Sequence, residues 1–158
     1  MIRLCFVCLG NICRSPTAEG IMLHLVERAG LREQFAIESA GTAAYHVDEP
    51  PDPRSFATAK ARGVHLPSLA RQFVRADFAR FDLVLAMDDS NRVGLLRLTP
   101  DPADQAKVKL LRSFDPRTPQ GADVPDPYYG AGDGFEHVFD VCEAACMGLL
   151  AQLRKSLS

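Results

Sequence analysis

The sequence predicts an α/β protein in which a parallel sheet is covered by helices on both faces. Three observations carry this. Short apolar, β-branched runs alternate with segments of helical period in the order β-α-β-α-β-α-β-α, the pattern of crossover units that build parallel sheets. The third run, Phe81 to Met87, contains Leu83-Val84-Leu85-Ala86 without a polar break, as a strand buried on both faces does. A chain of 158 residues with 47% apolar and 24% charged content can bury one sizeable core, so residues 1–158 are read as one domain.

The elements follow in order. Ile2 to Val7 has strand length and composition, and Gly10 and Asn11 punctuate it. Pro16 opens a helical pattern with Ser15 at the cap position and Glu19 in its early turns. Ile21, Met22, Leu25, Val26 and Ala29 keep helical spacing until Gly30 ends it. Phe35 to Ser39 reads as the second strand, followed by a Pro- and Asp-rich loop from Tyr45 to Pro53. Arg54 to Arg62 reads as a helix stopped by Gly63, and Arg75 to Arg80 as a short one. After the third strand, Ser90 to Leu98 is helical and Pro100 terminates it. Val108 to Leu111 is a short fourth strand, and a loop rich in Pro, Gly and Asp runs from Phe114 to Gly134. A long amphipathic helix, Phe135 to Leu157, closes the chain with Val138, Val141, Cys142, Ala145, Leu149 and Leu153 on one face.

Composition excludes several classes of function. A net charge of −2 gives no basic footprint for nucleic acid or an anionic membrane. The apolar runs are too short to span a bilayer. The chain begins at once with a strand and shows no signal-peptide pattern, so a cytoplasmic location is expected. Of the five cysteines, Cys5, Cys8 and Cys13 lie within nine residues, unlike a secreted disulfide scaffold. In a reducing compartment such clustering points to metal binding, catalysis or redox chemistry.

Ligands of open α/β sheets bind beyond the carboxyl ends of the strands, which directs attention to Cys8-Leu9-Gly10-Asn11-Ile12-Cys13-Arg14-Ser15. A loop passing from a strand into a helix N-terminus can turn backbone N–H groups inward as a nest for a dianion. Gly10 supplies backbone freedom there and Asn11 tolerates a left-handed conformation. Arg14 can bind phosphate oxygens with paired charge-assisted hydrogen bonds. The same positive field favours a Cys8 thiolate, to which Ser15 can donate. A thiolate beneath a bound phosphate is placed for in-line attack and a phosphocysteine intermediate. The departing oxygen needs a proton. Asp126, in Asp126-Pro127-Tyr128-Tyr129, is the favoured donor, with Tyr128 and Tyr129 walling a slot for an aryl group. Asp115 and Asp123 rank lower because no aromatic pair accompanies them.

Val7-Cys8-Leu9-Gly10-Asn11-Ile12-Cys13-Arg14-Ser15-Pro16 and Asp126-Pro127-Tyr128-Tyr129 resemble the signature loop and acid loop of the low-molecular-weight protein tyrosine phosphatases. Ser39-Ala40-Gly41-Thr42, Asp52-Pro53-Arg54, Ala70-Arg71-Gln72 and Met87-Asp88-Asp89-Ser90-Asn91 fall where that family has similar segments. The resemblance implies a flavodoxin-like three-layer sandwich with a four-stranded parallel sheet. It implies Cys8 as nucleophile, Arg14 as phosphate clamp and Asp126 as acid and later base, within a phosphate-binding loop that also includes Leu9, Gly10, Asn11, Ile12, Cys13 and Ser15. Asn11, Ser15 and Ser39 would hold that loop in shape, and Leu9, Tyr45 and Tyr128 would line the substrate slot. Cys13 would pair with Cys8 on oxidation. The expected substrate is a phosphotyrosine protein or peptide, a tyrosine kinase among the candidates, with no metal or organic cofactor required and a monomer as the default state. One departure is Ser68, where many relatives carry a histidine tied into the loop network. A shorter version of that bond, or a water, would have to replace it.

Blander roles are expected elsewhere. Cys5, Cys142 and Cys146 read as core thiols, and His24, His46, His65 and His137 as surface or packing residues. Asp88-Asp89 reads as the cap of the following helix. Arsenate reduction on the same fold is disfavoured because Phe81 to Leu98 carries no relay cysteine. A metal module on Cys5, Cys8 and Cys13 lacks a fourth ligand. A phosphotyrosine-binding module without turnover is disfavoured because nucleophile, arginine and acid are all present.

Overall fold

Strand propensity and burial on both faces give a sheet of four strands: β1 (Ile2–Cys8), β2 (Phe35–Gly41), β3 (Leu83–Ala86) and β4 (Val108–Leu110). The structure is a computed structural model describing residues 1–127 and 133–157. The strands run in the order β2-β1-β3-β4 and every pairing is parallel. Helices α1 (Arg14–Arg28), α2 (Pro53–Ala61), α3 (Asp89–Leu96), α4 (Pro102–Gln105) and α5 (Gly134–Arg154) connect and cover them. This is the α/β architecture that the alternation predicts. The strand order reverses between β1 and β3, so the loop leaving Cys8 emerges at a topological switch point.

Alternation along β1 divides the core. Leu4, Phe6 and Cys8 face one apolar cluster, with Ile21, Met22 and Val26 of α1 and Phe139, Cys142 and Leu149 of α5. Cys5 and Val7 face the other, with Phe73, Phe78, Phe81 and Leu95. Cys5 and Cys8 therefore lie on opposite sides of the sheet, so they cannot share an ion, which removes the geometric basis of the metal module.

Three local expectations need correction. Helix α1 begins at Arg14 with Cys13 at the cap position, so Ser15 is a helical residue whose hydroxyl is used elsewhere. Strand β3 is shorter than Phe81–Met87 because Asp82 turns out to accept a hydrogen bond from the Arg3 backbone N–H at 2.8 Å. The four-residue α4 was not anticipated; it is too short for an apolar period and owes its start to Asp101, whose carboxylate accepts from Ala103 N at 2.8 Å.

Gly148 of α5 allows close approach to the turn after β4. A Cβ at this position would overlap the carbonyl of Phe114. Gly148→Ala is therefore expected to cost about 1–3 kcal/mol through overpacking, read as a lower urea midpoint. An unchanged midpoint would show that the two segments are not in contact.

Candidate active site

The β1–α1 loop is fastened from several sides. Thr42 N donates to Cys8 O (2.9 Å) and Ala43 N to Leu9 O (3.0 Å), extending β2 beside the loop. Asp52 N donates to Ile12 O (2.8 Å), which brings the cap of α2 against it. Asn11 takes the left-handed conformation expected of it, with φ 57°. Gly10 does not have positive φ; a Cβ there would stand 3.0 Å from the His46 ring, which would have to give by a few tenths of an ångström. What the glycine permits here is close approach rather than a left-handed backbone.

Asn11 is buried and fully engaged. Its backbone N–H donates to Cys8 Sγ at 3.3 Å. Its Nδ2 donates to Ser15 Oγ at 2.8 Å and to Ser39 Oγ at 2.9 Å. Its Oδ1 accepts from Arg71 N at 3.1 Å. Ser15 Oγ lies 3.0 Å from Cys8 Sγ, so two polar groups converge on that sulfur. Ser68 Oγ lies 3.3 Å from Ser39 Oγ and donates to Glu19 Oε1 at 2.7 Å, a direct short link into the network without a bridging group.

Arg14 is buried with its Nη1 donating to Asp88 Oδ2 at 2.7 Å and to Val124 O at 3.1 Å. Burial alone would lower its pKa, but Cys8, Asp88 and Asp126 together hold it above the ordinary arginine value. Asp88 also caps α3, accepting from Asn91 N at 2.7 Å. The capping role is the one expected from sequence; the ion pair with Arg14 was not anticipated, because 74 residues separate the partners. Val124 is placed by a backbone relay, in which Met87 N donates to Val7 O (3.0 Å) and Val124 N to Met87 O (2.7 Å). That relay carries the segment leading to Asp126 to the carboxyl end of the sheet.

Cys8, Leu9, Gly10, Ile12, Cys13, Arg14, Tyr45, His46 and Asp126 line a cavity of about 90 Å³. Loop, clamp and carboxylate are thus brought together, with Tyr45 at the rim. Tyr128 and Tyr129 lie outside the described residues. His46 is a lining residue not anticipated from sequence; Glu49 Oε2 accepts from its Nδ1 at 2.9 Å. The other two candidate acids are occupied elsewhere. Asp115 accepts from Arg117 N and Thr118 Oγ1, and the first of these bonds most strongly lowers its pKa. Asp123 accepts from Asp89 N at 3.0 Å. Two larger hollows, of about 390 and 380 Å³, meet at Gly63 and His65; neither contains a cysteine or a buried arginine, so size does not pick out the chemistry.

The cysteines differ by environment. Burial pushes the Cys142 thiol up to about 12 and raises those of Cys5 and Cys146 well above their ordinary range. All five cysteines are unpaired with one another. Cys8 combines polar neighbours at its sulfur with an opening to the cavity, whereas Cys5, Cys142 and Cys146 lie outside its lining.

Residues 3–158 match the family described as low molecular weight phosphotyrosine protein phosphatase. The chain is 49% identical over 156 residues to the low molecular weight protein-tyrosine-phosphatase of Streptomyces coelicolor, covering 98% of this chain and 95% of that one. It is 42% identical over 146 residues to the low molecular weight phosphotyrosine protein phosphatase of Rattus norvegicus, covering 92% and 91%. The crystal structure of a protein tyrosine phosphatase from Entamoeba histolytica, with Hepes in its active site, superposes with a TM-score of 0.92 at 38% identity over all of both chains. No helix among the described residues is long and apolar enough to cross a membrane.

Asp88→Ala removes the cap of α3, about 1 kcal/mol, and leaves Arg14 without its partly buried anion. A total loss of about 2–4 kcal/mol in urea unfolding is expected. A loss below about 1 kcal/mol would mean that the ion pair adds nothing to the cap.

Proposed function

The chain belongs to the low molecular weight phosphotyrosine protein phosphatase family, and on that premise we propose how its residues divide the reaction. A phosphotyrosine side chain enters the cavity with its phosphate against the loop backbone N–H groups of residues 9–14 and the Arg14 guanidinium. Cys8 Sγ attacks phosphorus in line. The S–P bond forms as the bond to the phenolic oxygen breaks, and Asp126 gives that oxygen its proton. Asp126, now a carboxylate, takes a proton from the water that attacks the phosphocysteine; the S–P bond breaks and inorganic phosphate leaves. Asn11, Ser15 and Ser39 keep the loop in register, and Ser15 donates to the departing sulfur.

The observation that carries this reading is the pair of polar contacts at one sulfur. Ser15 Oγ at 3.0 Å and Asn11 N at 3.3 Å suit a thiolate, which accepts such bonds far better than a neutral thiol. Leu9 and Tyr45, both exposed beside the cavity, suit the flanks of an aryl group. Tyr128 and Tyr129 are assigned the same role from their place in the acid loop. The substrate is a phosphotyrosine protein or peptide, such as an autophosphorylated tyrosine kinase, in the cytoplasm, and the working unit is a monomer of one domain. Cys13, beside Cys8 in the cavity wall, is assigned the role of disulfide partner under oxidation, which halts Cys8 short of sulfinic acid.

Hydrolysis of phosphotyrosine and of p-nitrophenyl phosphate by wild type, Cys8→Ser and Asp126→Ala tests the roles. Cys8→Ser should show no turnover. Asp126→Ala should be slower by roughly 10²–10⁴-fold on phosphotyrosine and less impaired on the nitrophenyl ester, whose leaving group is already acidic. Wild-type turnover by Cys8→Ser would refute the nucleophile. Mass spectrometry after mild peroxide should find a Cys8–Cys13 bridge; sulfinic or sulfonic acid alone on Cys8 would refute that pairing.

A further inference from the structure

His46 lines the cavity, yet the proposed reaction leaves it unused. The turn that carries it is tied within itself and to the chain beyond. Glu49 N donates to His46 O at 2.9 Å and Val47 N to Ala44 O at 3.5 Å. Asp48 N donates to Ala70 O and Ala70 N to Glu49 O, both at 2.8 Å. Asp48 has a left-handed backbone, φ 70°, a conformation that most side chains avoid and aspartate accepts. With the chain reversed there, Glu49 lies beside the His46 ring, and its Oε2 accepts from Nδ1 at 2.9 Å. The opposite edge of the ring faces the β1–α1 loop: a Cβ on Gly10 would stand 3.0 Å from Cδ2 and 3.7 Å from Nε2.

The Glu49 contact decides what the second nitrogen can do. An ionised carboxylate only accepts hydrogen bonds, so Nδ1 carries the proton of a neutral His46 ring and Nε2 is left as an acceptor. Among the described residues no donor meets it. The cavity is thus layered by chemistry. Arg14 in its wall is the cation that suits a phosphate. At its mouth stand an acceptor nitrogen on a ring 37% exposed and a carboxylate 56% exposed. A phosphotyrosine held in the cavity brings its neighbours in the peptide to that mouth. A basic side chain there finds an acceptor and an anion. An acidic one finds two groups that cannot donate to it, one of them of its own charge.

We propose that His46 is a specificity-determining residue: its Nε2, held in the acceptor form by Glu49, reads the side chain next to the phosphotyrosine and favours a basic one over an acidic one. This rests on the cavity being the phosphotyrosine site.

The test compares kcat/KM of wild type, His46→Leu and Glu49→Gln on three phosphotyrosine peptides that differ only in having Lys, Gln or Glu on both sides of the phosphotyrosine. It is run at low ionic strength and at pH 8, on the alkaline side of the usual histidine range. The quantity read is the ratio between peptides, in which a general loss of activity cancels. Wild type should prefer the peptides in the order Lys, Gln, Glu, with about 3–10-fold between first and last, the scale of one hydrogen bond and one exposed charge pair. His46→Leu keeps an apolar side chain against Gly10 but offers no acceptor. Glu49→Gln removes the anion and lets the ring take either tautomer. In both variants the ratio should shrink towards one. A wild-type ratio near one, or a reversed order, overturns the proposal, as does a ratio that either variant leaves at the wild-type value. Failure of the underlying site assignment looks different: Cys8→Ser would then turn over all three peptides.

Discussion

Four hydrogen bonds to one buried asparagine hold the candidate site in shape. Asn11 joins Cys8, Ser15, Ser39 and Arg71, which belong to the end of β1, the start of α1, β2 and the segment after Ser68. A polar group left unpaired in this setting costs about 1–3 kcal/mol, so no one of the four segments can shift without stranding a partner. The left-handed backbone of Asn11 is the small conformational cost of that arrangement. Satisfied buried networks of this kind are stiff.

The same low-polarity interior sorts the thiols. Cys5, Cys142 and Cys146 sit among apolar side chains, and burial makes them hard to ionise. Cys8 borders the same core yet meets a hydroxyl, a backbone N–H and the field of a buried arginine. What separates these thiols is thus the polar groups that reach the sulfur, not the face of the sheet, since Cys8, Cys142 and Cys146 border the same cluster.

Much of this was legible in the sequence. The parallel sheet could be read because its strands and helices announce themselves locally, and the residues proposed as nucleophile, clamp and acid lie in two short contiguous stretches. Residues that reach the site from elsewhere were not legible. Asp88 looks like a helix cap and is one, and nothing local says that its second oxygen meets Arg14. His46 joins the cavity only because the loop after β2 folds over Gly10. Glu19 carries the ordinary signature of an early helix residue, and only tertiary packing buries it. Ser15 approaches the Cys8 sulfur as its sequence context suggests, and only its place as the cap differs: a serine before proline has the local pattern of a cap, but the helix begins earlier.

The ion pair of Arg14 has a bearing on how the cavity greets an anion. A surface arginine samples many rotamers, and freezing them on contact with a ligand is one of the recurrent charges against affinity. Here one guanidinium nitrogen is already fastened to Asp88 and to the Val124 carbonyl. The side chain surrenders its mobility once, when the chain folds, and not again at each encounter. The nitrogens left over wait as a fixed template, so recognition falls to the shape and charge of the incoming group.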